Sequence, residues 1–90
     1  MSVRSLPQVD PLAPTCASVT AYDRTHYVLY ARLIDAAASG SDWAVAAGAI
    51  LECDVARYPE AAKLCYDSHM ARARWIVGEG LDCLLHQAEA

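Results

Sequence analysis

Pro59-Glu60-Ala61-Ala62-Lys63-Leu64-Cys65-Tyr66-Asp67-Ser68-His69-Met70-Ala71-Arg72-Ala73-Arg74-Trp75-Ile76-Val77 is the longest stretch of the chain with one unbroken period. Ala62, Tyr66, His69, Met70, Ala73, Ile76 and Val77 recur at helical spacing and form one apolar stripe. Pro59 suits a first helical position, where its missing N–H is not needed, and Glu60 suits the positive end of the helix dipole. Gly78 and Gly80 close the stretch.

Working back from it, residues 52–58 show no periodicity and read as an extended turn. Trp43, Ala46, Ala47, Ile50 and Leu51 repeat the helical spacing over a shorter run that Ser41 or Asp42 can cap. Gly48 lies inside that run. An internal glycine costs about 1 kcal/mol relative to alanine, so a close helix crossing is the expected reason for it. Earlier still, His26, Leu29, Tyr30, Leu33, Ile34 and Ala37 mark a helix from Tyr22, with Thr20 or Asp23 as its cap. Arg24, Arg32 and Asp35 lie on its outer side, and Ser39-Gly40 ends it. Beyond the third helix, Leu81 to about Gln87 reads as a short fourth helix whose leucines would cover the core. Pro7, Pro11 and Pro14 interrupt residues 1–20, which read as a flexible N-terminal tail.

No run alternates with period two, so the fold expected is all α: a three-helix helix-turn-helix variant with an extended turn and a short fourth helix. Residues 21–90 form the domain and residues 1–20 the tail. The chain has 90 residues, 56% of them hydrophobic and 20% charged, enough for one small core. Eighteen of the apolar residues are alanine and none is phenylalanine, so each large side chain carries much of the packing.

Function classes narrow quickly. No stretch has the ~18 apolar residues of a membrane span, and the first residues do not combine a basic and a hydrophobic segment. The reading is a soluble cytoplasmic protein without a membrane partner. No GxSxG, P-loop, HExxH or EF-hand pattern occurs, and neither an enzyme nor a cofactor is expected. Cys16, Cys53, Cys65 and Cys83 make no CxxC pair and are expected to stay reduced. Cys65 and His69, one turn apart, could share a metal or act as a thiol–imidazole pair. A buried thiol and a hydrogen-bonded core histidine account for them more simply, and no metal is expected.

Charge decides between the remaining classes. The net charge is −4, which opposes a sequence-independent grip on phosphates. In a helix-turn-helix, the N-terminal half of the second helix enters the major groove. Here the turn and that half hold Glu52, Asp54, Glu60 and Asp67 against Arg57 and Lys63, a net of −2. A DNA-reading shape therefore carries carboxylates where its grip would be, and no specific DNA binding is expected. An ordinary solvated face is the plainer account of the same charges. Arg72 lies three residues before Trp75, where a guanidinium can rest on the indole and both can meet a partner. Trp75 serves equally well as core or as contact.

The stretches Tyr22-Asp23-x-x-His26, Tyr30-x-x-Leu33-Ile34-Asp35-Ala36, Gly40-Ser41-Asp42-Trp43 and Asp67-Ser68-His69-Met70-Ala71-Arg72-Ala73-Arg74-Trp75 together resemble a proteobacterial extended-turn helix-turn-helix family. It was long described as a domain of unknown function and is related to the DNA-binding domain of RovC-type regulators. As a small stand-alone domain the chain is most similar to the QseM-type antiactivators of that family, which act on an integrative and conjugative element. The resemblance implies a partner in place of DNA: the N-terminal domain of an FseA-like transcriptional activator, and a TraR-like quorum-sensing regulator as a further target. Glu60 and Asp67 depart from the basic face of the activators. The opposite side, helix one with the C-terminal half of helix three, then supplies the expected contacts: Tyr27, Tyr30, Asp35, Arg72 and Trp75. A DNA-binding helix-turn-helix regulator is the alternative.

Overall fold

A computed structural model describes residues 9–80. Within them the chain is all α, with no strand. The helices are α1 (Ala21–Thr25), α2 (Tyr27–Ala38), α3 (Trp43–Ile50) and α4 (Pro59–Trp75), and α4 widens at its end into a π-helical turn, Ile76–Gly80. The segment expected to hold a fourth helix, Leu81 to Gln87, lies outside the described residues, as do residues 1–8.

The first helix is one periodic stretch in the sequence but two helices in space. Thr20 begins α1 with a full capping box: its Oγ1 accepts the Asp23 N–H, and the Asp23 carboxylate accepts the Thr20 N–H at 2.9 Å. The break falls at His26, where φ and ψ are −110° and 20°. There the imidazole turns back so that Nδ1–H donates to the Tyr22 carbonyl at 2.7 Å, and its ring stacks on the Tyr22 ring at 4.0 Å. A side chain drawn into the backbone ladder is a common origin of a helix break. The apolar stripe runs on through it, with Leu29, Tyr30 and Leu33 buried.

Gly40 closes α2 in the left-handed conformation, at φ +84°. Asp42 caps α3, its side chain accepting the Ala44 N–H. The close crossing expected at Gly48 is absent, because a Cβ there would meet nothing nearer than the Cys53 carbonyl at 4.0 Å. After α3 the chain doubles back through Glu52, at φ +60°, so that the Cys53 N–H reaches the Ala47 carbonyl at 3.1 Å. Asp54 shapes the rest of the extended turn by accepting the Arg57 N–H at 3.1 Å, and Pro59 opens α4.

Helix α4 packs on both α2 and α3. The core gathers Leu29, Tyr30, Leu33, Leu51, Cys65, Met70, Ala73 and Ile76, with Ile34, Ile50, Tyr66 and Trp75 half-buried around it. Val77, expected on the inner stripe, is exposed: the wider π turn carries it off the line of α4. Residues 9–20 form no helix or strand, as their prolines require, but they lie against α4 as a strap. Ala13 is buried and donates its N–H to Ser68 Oγ at 3.0 Å. The Asp10 N–H donates to the Tyr22 hydroxyl, and the Cys16 and Ser18 carbonyls accept from Arg72.

Candidate functional site

The outer face of α4 with the extended turn holds the acidic positions of the sequence reading. Glu52, Asp54, Glu60 and Asp67 are all exposed. Helical spacing places Glu60, Lys63, Leu64, Asp67, Ala71 and Arg74 together on the solvent side of α4. Lys63 pairs with Asp67 across one helical turn, its Nζ 3.2 Å from the carboxylate, on an exposed surface. The same ammonium sits 5.0 Å from the Trp43 ring and 5.6 Å from the Tyr66 ring, two half-buried aromatics whose centroids are 6.1 Å apart. This aromatic pair joins α3 to α4, and the sequence reading treated its members only as stripe residues. Because they belong to different helices, no local spacing relates them.

The five expected partner contacts divide. Asp35 is exposed, and Tyr27 and Trp75 are half-buried at the rim of the core. Tyr30 and Arg72 are corrections: at 2% and 4% exposure they lie inside the molecule and present nothing to a partner.

The interior explains why. Asp23, fully buried, is the hub of a polar cluster. Arg72 grips it with two nitrogens, Nε to Oδ1 at 3.0 Å and Nη2 to Oδ2 at 2.7 Å, and the Tyr30 hydroxyl donates to Oδ1 at 2.8 Å. Burial alone would raise the Asp23 carboxyl. The Arg72 guanidinium, with donors from Thr20 and Tyr30, outweighs it and holds the group down at about 2. The remaining Arg72 donors take the Cys16 carbonyl at 2.6 Å and the Ser18 carbonyl at 2.7 Å, so one side chain ties α1, α4 and the strap together. Its guanidinium carbon also lies 4.2 Å from the centre of the Trp75 ring, the stacking expected from their spacing. Arg72 thus positions Trp75 from beneath.

His69 forms a second buried polar group. Its Nδ1 faces the Cys65 carbonyl at 2.7 Å, and a carbonyl can only accept, so Nδ1 carries the proton. Nε2 then accepts from the Tyr22 hydroxyl at 2.6 Å. Burial pushes the His69 imidazole below its usual value, and burial with the neighbouring Cys53 pushes the Cys65 thiol up to about 12. A thiol so reluctant to ionise beside an imidazole with both nitrogens engaged is no thiolate–imidazolium nucleophile. Among the described residues, no three His, Cys, Asp or Glu side chains are grouped to hold a metal ion.

One cleft opens beside this interior. It encloses about 320 Å³ between the strap (Val9, Asp10, Pro11), the end of α3 with its turn up to Tyr58, and Ala61, Ala62 and Cys65 of α4. No protein-family model matches the chain, and no curated protein matches it significantly.

Proposed function

We propose that this protein is an antiactivator of the QseM type, a helix-turn-helix-shaped domain that occupies a transcriptional activator of conjugative transfer and keeps it from activating transcription. The partner is the N-terminal domain of an FseA-like activator, with a TraR-like regulator as a further target. The observation that carries the reading is the state of the α4 face: Glu60 and Asp67 are exposed on it, and Lys63 is drawn onto Asp67 at 3.2 Å. A helix face on which Glu60 and Asp67 offset Lys63 and Arg74 has no net positive charge, and it offers a duplex little counterion release. The shape is kept while the grip is lost, which suits competition with an activator's own domain.

The resemblance in Tyr22–His26, Gly40–Trp43 and Asp67–Trp75 supplies the class of partner, and the accessible residues Tyr27, Asp35 and Trp75 supply the contact face. The protein works by binding and needs neither catalysis nor a cofactor. The test is two titrations, one with the activator's N-terminal domain and one with operator duplex at low salt. Binding to the protein domain alone is the expected result. Salt-sensitive binding to the duplex alone overturns the reading and makes the chain a DNA-binding regulator. A folded Trp75→Ala variant should lose about 2 kcal/mol of partner affinity, roughly thirtyfold.

A further inference from the structure

Two thiols line the cleft. Cys53 reaches it from the extended turn and Cys65 from the second turn of α4, and both line the same 320 Å³ space. Cys65 is 5% exposed and belongs to the core cluster against which the half-buried Cys53 packs. The cleft is open on one side and large enough for several water-sized molecules, so a small oxidant can enter beside the half-buried Cys53. Neither thiol is otherwise committed to a role in the partner-binding reading.

We propose that Cys53 and Cys65 are a redox pair that a peroxide converts to an intramolecular disulfide across the cleft. The more accessible Cys53 is the first sulfur attacked. Hydrogen peroxide oxidises its thiol to a sulfenic acid and is itself reduced to water. The Cys65 sulfur then displaces the sulfenic hydroxyl, which leaves with the Cys65 proton as a second water, and the S–S bond forms. In total, two thiols give two protons and two electrons to one peroxide, which leaves as two waters. A dithiol reductant reverses the change. The buried, hard-to-ionise Cys65 makes a poor first target, and it enters only as the neighbouring sulfur in the cleft, giving up its proton as it attacks the sulfenic sulfur.

The bond has a structural consequence. Cys65 Sγ donates to the Asp10 carbonyl at 3.6 Å, and a disulfide sulfur has no proton to give. Oxidation therefore removes one of the strap's holds on α4 while tying the extended turn to that helix.

The test uses the full chain with Cys16→Ser and Cys83→Ser, which leaves only the pair. After peroxide treatment and quenching, intact mass, free-thiol titration and non-reducing peptide mapping are read. The expected result is a monomer lighter by two hydrogens, with both thiols lost, a cross-linked peptide joining Cys53 to Cys65, and full recovery on reduction. Chains that gain oxygen at Cys53 or Cys65, keep both thiols free, or cross-link between molecules overturn the proposal. A further Cys53→Ser substitution, checked for retained helicity, should abolish the mass loss. If it persists, the proposal fails.

Discussion

Arg72 was expected at a partner surface because it stands near Trp75 on a helix, yet its guanidinium is spent inside the molecule. A buried charge is tolerated only when paired and saturated with hydrogen bonds, and Asp23 with the Cys16 and Ser18 carbonyls does this for Arg72. Removing one partner strands the other. Asp23→Asn and Arg72→Ala should each cost about 3 kcal/mol or more in urea unfolding, a large part of the total stability of so small a domain. Arg72→Ala should also open residues 10–19 to limited proteolysis. The pH dependence follows from the shifts. The Asp23 carboxyl is held at about 2 in the fold against an ordinary 3.8, so its contribution is complete above pH 3.8 and disappears as pH falls through 2. That contribution is about 2 kcal/mol. His69 acts in a higher window. Its folded value lies below the ordinary 6.5, so the unfolded chain binds the proton first, and stability falls as pH drops below 6.5. In His69→Gln, the slope of stability between about pH 7 and pH 5 should flatten, as read by unfolding at a series of pH values.

Elements were read best where their signals are local. Thr20 and Asp42 cap α1 and α3 from positions marked by residue type alone, and Gly40 adopts the left-handed turn that ends α2. Thr20→Ala should cost about 1 kcal/mol by removing half of the capping box. The break at His26 was invisible because hydrophobic periodicity passes through it unchanged, while the imidazole bond to the Tyr22 carbonyl that marks it leaves no trace in residue type. Likewise, nothing in Ile76-Val77-Gly78 separates a π turn from one more α turn, so Val77 was assigned to the wrong side. Gly48 carried a local signal that pointed the wrong way. With open space around its missing Cβ and a helical backbone, it needs no close crossing, and Gly48→Ala should raise stability by about 0.5–1 kcal/mol in thermal or urea unfolding.

At the scale of the molecule, the strap shows how far pattern reading extends. Its prolines exclude regular structure, but what holds it is Arg72, 54 and 56 residues away in sequence, and Ser68, 55 away. Pairings at such separations leave no periodic trace, so the Asp23–Arg72 hub and the Cys53–Cys65 cleft had to come from the fold. The acidic face was legible because exposure along a helix follows from spacing and charge follows from composition. That face also sets the last expectation. Glu60→Lys with Asp67→Lys brings the net charge from −4 to 0 and frees Lys63 from its carboxylate. If the carboxylates are what keeps this shape off DNA, the double variant should bind duplex at low salt where the parent does not. With four cations on that face, the two new lysines, Lys63 and Arg74, log affinity should fall against log salt with a slope of about −3.6. Electrophoretic or fluorescence titrations across a salt series measure it. A parent chain that already shows such a slope would be a DNA binder, and a folded double variant that shows none would mean that something other than the acids of α4 bars the duplex.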